Sequence, residues 1–339
     1  MSHFADDAIL VTGGLGFIGS SVVRALFEAF PDRKIIVLDA MTYAGYVENL
    51  PREILNAGPE RFELVIGNIA NREIMPPIMR QCGTVVHLAA ESHVANSLTM
   101  ADTFVQTNVF GTMVLAEEAL RAKVERFIYI STSEVYGTAV VAPMDENHCL
   151  DPRSPYAAAK AGGELLVRSY HHSYGLQALV LRPFNNYGPR QHPEKVIPCF
   201  ITSLLDGRPI RVMDGGDQTR DWLFVRDTAQ AIVAAVRADI AKVSGGVFNV
   251  ASCEEYSISD IADKLIEILD VSPSLKLMEG HRPGQVERHC ACSGRMQNAL
   301  GWKPCTTFEE GLVKTVEWYT SNRERFARVI QPALTVYGQ

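Results

Sequence analysis

Two short stretches of the sequence carry side chains that can perform acid–base chemistry together. Tyr156 and Lys160 stand four positions apart in a predicted helix, and this spacing places the phenol and the ammonium on one helical face. A neighbouring ammonium favours the phenolate, so such a tyrosine can act as a base near neutral pH. Thr132, Ser133 and Glu134 add two hydroxyl groups and a carboxylate. We predict that these five residues are the catalytic groups of an enzyme.

The elements around these residues indicate where the chemistry takes place. Residues 127–130 form an apolar run typical of a buried parallel strand, and the polar cluster at 131–134 follows where this strand ends. The helix that carries Tyr156 begins near Ser154, which precedes a proline at the first helical position. Because open α/β sheets bind ligands at the carboxyl ends of their strands, we expect the site to form there.

The N-terminal residues predict a site for a dinucleotide. A short strand at 8–12 is followed by Gly13, Gly16 and Gly19 and then by an amphipathic helix over 20–30. Glycines in such a turn let the backbone approach a pyrophosphate, whose charge is favoured by the amides at the helix N-terminus.

The second strand, over 35–38, ends in Asp39, twenty residues after Gly19. A carboxylate there accepts both ribose hydroxyls and repels a 2′-phosphate, so the sequence predicts NAD rather than NADP. Asn68 is open to two interpretations, a hydrogen bond to the adenine amino group or a turn-forming role. The predicted cofactor-binding residues are Gly13, Gly16, Phe17, Ile18, Gly19, Asp39, Asn68, Ile69, Leu88, Ala89, Ala90, Tyr156 and Lys160.

Strands and helices alternate along the first part of the chain, which is typical of a parallel, doubly wound sheet. Further strands are predicted at 64–69, 84–90 and 177–182, and helices over 103–123 and 156–174. We therefore expect a Rossmann-type α/β domain and a smaller C-terminal α/β domain that binds the substrate. The first covers residues 1–184, with 222–252 returning to it, and the second covers 185–221 and 253–339.

The composition argues against several classes of function. The 339-residue chain has a formal net charge of −7 and no long run of one sign, which disfavours nucleic-acid and membrane-surface partners. Its seven cysteines are scattered, and no spacing suits a metal site or a disulfide framework. The first strand begins by residue 8, which leaves no room for a signal peptide, and no apolar stretch is long enough to span a bilayer. We expect a cytoplasmic protein without a bound metal.

Several motifs together resemble the extended short-chain dehydrogenase/reductases that modify nucleotide sugars. They are the glycine pattern at 13–19, Asp39, the pair Tyr156 and Lys160, and the stretch at 132–137. The resemblance covers nearly the whole chain. Within this family, the stretches most similar to the dTDP-glucose 4,6-dehydratases are 38–45, 89–94, 185–189 with 193–195, 220–222 and 282–284.

The resemblance implies an NAD-dependent nucleotide-sugar 4,6-dehydratase that works by transient oxidation. Tyr156, helped by Lys160 and Thr132, would take the proton of the sugar 4-hydroxyl while a hydride passes from C4 to NAD. The ketone would acidify the C5 proton, which Glu134 removes, and water would leave from C6. Return of the hydride to C6 would give a 4-keto-6-deoxy sugar.

One departure from the family pattern leaves the reaction open. The dTDP-glucose enzymes carry an aspartate that acts as an acid on the departing hydroxyl, where this chain has Ser133. Thr-Ser-Glu is similar to GDP-mannose 4,6-dehydratases, in which one glutamate serves as both base and acid, and to UDP-glucuronate decarboxylases, which need no elimination acid. Decarboxylation is therefore the alternative, and 4-epimerisation and 5,6-elimination share its first step. The intact Tyr156 and Lys160 disfavour a catalytically silent NAD-binding regulator.

The resemblance also implies a homodimer, formed through the helices at 103–123 and 156–174, and a set of residues that bind a nucleotide-diphosphate sugar. Lys195, Arg220 and Arg282 are the expected diphosphate contacts, because an acidic protein must supply local cations for a dianion. Met213 and Gln285 stand where the dTDP-glucose enzymes have a stacking tyrosine and a histidine, so the nucleobase stays open. The full set is Ser92, His93, Asn185, Asn186, Lys195, Val196, Arg211, Met213, Arg220, Asn249, Arg282 and Gln285.

Overall fold

The computed structural model describes residues 7–280 and 286–326 and contains three β-sheets. The strands, in chain order, are β1 (Ala8–Thr12), β2 (Ile35–Asp39), β3 (Phe62–Ile66), β4 (Cys82–His87), β5 (Arg126–Ile130), β6 (Ala178–Pro183), β7 (Asn185–Tyr187), β8 (Ile210–Val212), β9 (Thr219–Phe224), β10 (Val247–Val250), β11 (Glu255–Ser257) and β12 (Lys276–Met278). The largest sheet has seven strands in the order β10-β6-β5-β4-β1-β2-β3, and every neighbouring pair is parallel. This order confirms the predicted Rossmann-type, doubly wound sheet.

Helices cover both faces of the large sheet and also pack beside the two smaller sheets. They are α1 (Phe17–Ala29), α2 (Arg52–Leu55), α3 (Met75–Met79), α4 (Val94–Thr99), α5 (Ala101–Val105), α6 (Thr112–Arg121), α7 (Pro155–Tyr174), α8 (Val196–Leu205), α9 (Val225–Arg237), α10 (Ile240–Val243), α11 (Ile258–Leu269), α12 (Gly294–Leu300) and α13 (Phe308–Ser321). Helix α1 packs against α9 on one side, and α6 packs against α7 on the other. No helix in the described ranges is both long enough and apolar enough to cross a bilayer.

The first strand shows why the sheet needs two covered faces. All five residues of β1 are buried, and successive side chains enter different cores. Ile9 and Val11 join the core beneath α1 and α9, whereas Ala8 and Leu10 join the core beneath α6 and α7. Because alternate side chains of a strand point to opposite faces, a continuous apolar run requires helices on both.

A second region is built on two small sheets with a core of its own. Strands β7, β9 and β11 form one sheet, and β8 pairs with β12 in the other, beside helices α8, α11 and α13. Residues 222–224, which the sequence assigned to the first domain, lie in β9 and pair with β7, while the first half of β9 pairs with β11. Helix α9 and strand β10, in contrast, pack with the large sheet.

The helix predicted over 103–123 is present with a change in its hydrogen bonding. A π-helical segment, Gln106–Gly111, lies between α5 and α6. Within it, the Asn108 side chain donates to the Glu91 carbonyl oxygen at 3.0 Å and accepts from the Glu91 amide at 2.9 Å. These bonds hold the loop after β4 against the helix, and π-helical turns of this kind are frequent at functional sites.

A buried ion pair joins the large sheet to α7. The Arg182 guanidinium of β6 pairs with the Glu164 carboxylate, and both side chains are buried. Ser131 donates to Glu164 at 2.7 Å, while Arg182 donates to the Tyr136 hydroxyl at 2.7 Å, which donates to Asn249 at 2.7 Å. Burial opposes the charge of Arg182, yet the Glu164 carboxylate and the Tyr136 hydroxyl raise the pKa of the guanidinium above its usual value. The network ties β5, β6, β10 and α7 together.

We predict that Glu164→Gln lowers the free energy of unfolding by about 3–5 kcal/mol, because the Arg182 guanidinium then stays buried without its counter-charge. Urea unfolding followed by circular dichroism measures this change. Glu117→Gln is the matched control: Glu117 pairs with the exposed Arg72 on the surface, so the loss there is below about 1 kcal/mol. Equal losses for the two variants would contradict the structural role of the buried pair.

Candidate active site

A cleft of about 540 Å³ follows the carboxyl ends of the large sheet's strands. It joins the glycine turn after β1, the polar residues after β5, the start of α7 and the segment at 183–195. The predicted site residues that line it are Gly13, Gly16, Phe17, Ile18, Gly19, Asp39, Asn68, Ile69, Leu88, Ala89, Ala90, Ser92, Thr132, Ser133, Glu134, Tyr156, Lys160, Asn185, Asn186 and Lys195. The cleft thus holds every predicted catalytic and cofactor-binding residue.

The glycine turn shapes one end of the cleft. Gly13 has a φ of +71°, and a Cβ there would lie 2.8 Å from Ala89 Cα. At Gly16, which precedes α1, the nearest atom to an added Cβ is the Gly13 oxygen at 3.4 Å, so space is left above this residue. No described side chain caps the first amides of α1. These amides face a cradle that suits an anionic pyrophosphate.

Asp39 at the end of β2 is held in a fixed orientation beside this cradle. Its carboxylate accepts hydrogen bonds from the Leu15 amide at 2.9 Å and the Met41 amide at 2.8 Å. Burial raises the pKa of Asp39 and the two amides oppose this effect. An ionised carboxylate has about four acceptor sites, so two remain for a diol such as ribose.

Helix α7 positions Tyr156 and Lys160 as the sequence predicted, on one helical face at the cleft. Ser154 caps the helix by accepting from the Ala157 amide at 3.2 Å, and Pro155 takes the first helical position. The Lys160 ammonium donates to the Ile130 carbonyl oxygen at 2.6 Å. Burial lowers the pKa of Lys160 to about 7, and the Glu164 carboxylate acts in the opposite direction.

The surrounding protein groups alone do not make the Tyr156 phenol a base near neutral pH. Burial raises the pKa of its phenol to about 12; the Thr132 hydroxyl lowers the pKa, and the Glu134 carboxylate raises it. The ammonium of Lys160 is directed at the Ile130 carbonyl oxygen. A further positive charge beside the phenol is therefore needed before it can lose its proton near neutral pH.

The polar residues after β5 form a short 3₁₀ turn, Ser133–Tyr136. The Thr132 hydroxyl accepts from the Glu134 amide at 3.2 Å and so fixes the start of the turn. The Ser133 Oγ lies 3.5 Å from Nδ1 of the buried His289. Sequence reasoning missed His289, because no motif or spacing links two residues so far apart in the chain.

The opposite wall of the cleft carries polar groups, of which sequence reasoning assigned Asn185 to the substrate and missed Arg190 and Gln191. Asn185 Oδ1, Arg190 Nε and Gln191 Oε1 are buried and have no hydrogen-bond partner among the described residues. Arg190 adopts a φ of +72°, and burial lowers the pKa of its guanidinium to about 10. Buried polar atoms without partners are costly, so these groups fit a polar ligand in the cleft. The signal available in the sequence was Arg190 itself, the single arginine in the turn-rich segment at 183–195.

A polar cluster joins the two walls at the cleft's edge. Lys195 donates to the Ser92 carbonyl oxygen at 3.2 Å, and the Tyr43 hydroxyl donates to Glu194 at 3.0 Å. The His93 ring lies 3.8 Å from the same carboxylate. The structure therefore brings together Ser92, His93 and Lys195, three residues predicted to bind substrate, although His93 does not line the cleft.

Other predicted substrate residues lie apart from the cleft. Asn249 is buried, and its amide donates to the carbonyl oxygens of Met144 at 3.1 Å and Cys292 at 3.2 Å. Arg211 is exposed and pairs with Glu279 at 3.0 Å. Val196 begins α8, Met213 precedes a short 3₁₀ turn, and Arg220 donates to the Thr219 carbonyl oxygen. Arg282 and Gln285 lie outside the described residues.

The chain is similar to proteins of known activity over almost its whole length. The family described as GDP-mannose 4,6 dehydratase matches residues 10–315. The low-salt glycan biosynthesis protein Agl12 of Haloferax volcanii is 41% identical over 317 residues, 93% of this chain and 99% of that protein. The dTDP-glucose 4,6-dehydratase of Actinoplanes sp. is 38% identical over 320 residues, 93% of this chain and 98% of that enzyme.

A solved structure shares the fold as well as the sequence. DesIV, a dTDP-glucose 4,6-dehydratase from Streptomyces venezuelae crystallised with NAD bound, is 37% identical and superposes with a TM-score of 0.89. The match covers 95% of this chain and 99% of DesIV. With the family match over residues 10–315, this establishes that the chain belongs to the GDP-mannose 4,6 dehydratase family, among the extended short-chain dehydrogenase/reductases that modify nucleotide sugars.

Proposed function

We infer that this protein is an NAD-dependent nucleotide-sugar 4,6-dehydratase, which converts an NDP-hexose to an NDP-4-keto-6-deoxyhexose. The observation that carries this inference is a single cleft that joins the glycine turn and Asp39 to Thr132, Glu134 and Tyr156. This arrangement supports a hydride acceptor, a base for a hydroxyl proton and a base for a carbon-bound proton around one substrate position.

The cradle fits NAD. The amides at the start of α1 would hold the pyrophosphate, and the fixed Asp39 carboxylate would accept the ribose hydroxyls and exclude a 2′-phosphate. When bound, NAD supplies the hydride acceptor for C4 and, once reduced, the donor for C6. Its cationic ring also supplies the positive charge that the buried Tyr156 phenol needs in order to ionise.

Tyr156 opens the reaction by taking the proton of the sugar 4-hydroxyl, with the Thr132 hydroxyl as its hydrogen-bond partner. The Lys160 ammonium donates a hydrogen bond to the Ile130 carbonyl oxygen, and its positive charge would stabilise negative charge near the Tyr156 phenol. The C4 ketone then acidifies the C5 proton. Glu134 removes that proton, the C6 hydroxyl takes a proton from an acid in the site and leaves as water, and Glu134 returns its proton to C5 when hydride reaches C6.

The second wall of the cleft is proposed to bind the nucleotide diphosphate. Lys195 from the predicted set and the newly found Arg190 supply cations on this wall of an otherwise acidic chain. Arg220, which lies apart from the cleft, remains a predicted diphosphate contact. The unpartnered Asn185 and Gln191 oxygens suit ribose or sugar hydroxyls. Arg282, Met213 and Gln285 remain predicted nucleotide contacts.

The division of the chain into an NAD-binding domain, residues 1–184 with 222–252, and a sugar-binding domain, 185–221 and 253–339, is likewise proposed. The separate core beneath α8, α11 and α13 supports it. A cytoplasmic location stays a prediction from the sequence.

We propose a homodimer through the helices predicted for this role. Five large apolar side chains are exposed on α7 and on the helical segments that pack against it: Leu98, Met100, Val105, Phe110 and Leu165. Exposed apolar surface of this extent on one side of a protein is typical of an interaction site. A second copy with the same face would cover it by symmetry.

Static light scattering tests the dimer. The wild type is expected to have the mass of two chains, and Val105→Arg with Leu165→Arg is expected to yield the mass of one, because two charges then enter an apolar interface. Val140→Arg is the control, since Val140 is 78% exposed and lies in the loop at 138–145, away from these helices. A monomeric wild type would refute the proposal.

Mass spectrometry across a panel of NDP-hexoses and NDP-uronates tests the activity. We expect one NDP-hexose to give a product lighter by one water, and Tyr156→Phe to slow its formation about 10²–10⁴-fold because the base is lost. Tyr174→Phe, an exposed tyrosine at the far end of α7, is expected to match the wild type. Release of carbon dioxide from UDP-glucuronate, with no dehydrated product from any hexose, would show that decarboxylation is the true reaction.

A further inference from the structure

The dehydration lacks an obvious acid for the departing C6 hydroxyl. Ser133 stands where related enzymes carry an aspartate, and a serine hydroxyl alone is a poor proton donor at neutral pH. Its side chain lines the cleft and is 2% exposed, with Oγ 3.5 Å from His289 Nδ1. Catalytic hydrogen bonds are often this long in the absence of substrate and shorten when it binds.

The hydrogen bonding of His289 fixes the direction of this contact. Nε2 of the ring lies 2.9 Å from the Gly137 carbonyl oxygen, which can only accept, so Nε2 carries a hydrogen. In the neutral ring, Nδ1 is then the acceptor and the Ser133 hydroxyl donates to it. In the protonated ring, Nδ1 donates to Ser133, whose own hydrogen is released to point into the cleft.

His289 is enclosed, and few charged groups face it. The ring is fully buried and lies edge-on to Phe184, with ring centres 5.9 Å apart. Burial lowers the pKa of His289; Glu134 raises it, and Arg220 and His148 lower it. The protonated ring is consequently a stronger acid than a free histidine, and the Glu134 carboxylate is the anion that favours it.

On the basis of the proposed function, we propose that Ser133 and His289 form a proton relay that takes the place of the family's aspartic acid. The His289 Nδ1 proton passes to Ser133 Oγ while the Ser133 hydroxyl proton passes to the C6 oxygen. The C6–O bond breaks with its electron pair on the departing water, and the C5–H electrons, freed by Glu134, form the C5=C6 bond. The ring is left neutral and regains a proton from solvent. Tyr156 releases to solvent the proton that it took from the 4-hydroxyl, so the number of protons is unchanged over the whole cycle.

The relay separates two steps that can be measured apart. Oxidation at C4 needs Tyr156 and not the relay, whereas loss of water needs the relay. We expect Ser133→Ala and His289→Gln each to slow dehydration about 10²–10³-fold while the cofactor is still reduced, so that its reduced form accumulates and is seen by its absorbance. The double variant is expected to be no slower than either single variant, because the two residues act as one unit.

Two further measurements distinguish the relay from a structural role. The elimination rate of the wild type should fall as pH rises through the ionisation of His289, and this decline should be absent in His289→Gln. Adding Ser133→Asp to His289→Gln should restore dehydration, because a carboxylic acid then faces the C6 oxygen directly. His171→Gln, at a half-buried histidine late in α7, is the control and should leave every rate unchanged.

The possible outcomes distinguish failure of the relay from failure of the proposed function. If the wild type dehydrates an NDP-hexose and both single variants do so at the same rate, or if reduction of the cofactor slows as much as loss of water, the relay is wrong. If the wild type dehydrates no NDP-hexose, the proposed function fails first and the relay falls with it. Accumulated reduced cofactor together with rescue by Ser133→Asp supports the relay.

Discussion

The buried pair of Arg182 and Glu164 is the interaction on which the site depends. Glu164 lies one turn after Lys160 and two turns after Tyr156, so the three share one face of α7. Its bonds to Arg182 and Ser131 fix that face against the ends of β5 and β6. This charged contact in the interior thereby holds α7, and with it the Tyr156 phenol, against the strand that leads into Thr132 and Glu134. Removing these two charges from water is costly, and loss of one partner leaves the other as an unpaired buried charge. The pair therefore fixes the position of α7 rather than only adding stability to the fold.

The electrostatics of the cleft couple the base to the cofactor. Burial holds the pKa of Tyr156 up at about 12 and lowers the pKa of Lys160 to about 7, so neither group is ready for catalysis in the protein alone. The Thr132 hydroxyl is the group in contact with the phenol that favours its ionisation. The cationic ring of NAD would supply the positive charge that the phenol still lacks. Removal of the sugar proton would then be restricted to the state in which a hydride acceptor is bound.

The features that sequence alone predicted are those with local physical signatures. The apolar strands and the glycine turn, and with them the parallel, doubly wound sheet and the cradle, follow from backbone geometry. Asp39 follows from its distance along the sequence from that turn. Tyr156 and Lys160 follow from helical spacing. Long-range packing explains the rest. His289 meets Ser133 only in the fold, and Arg190 depends on a left-handed turn. Residues 222–224 pair with β7 because tertiary pairing determines which sheet an apolar strand joins.

The central claim is that one cleft oxidises C4, eliminates water across C5 and C6, and returns the same hydride to C6. An NDP-hexose carrying deuterium at C4 tests it most directly, with the product analysed by mass spectrometry and nuclear magnetic resonance. The account predicts that the deuterium appears in the C6 methyl group of the molecule that lost it. A dehydrated product with no deuterium at C6, or deuterium shared with an unlabelled substrate in the same mixture, would contradict it.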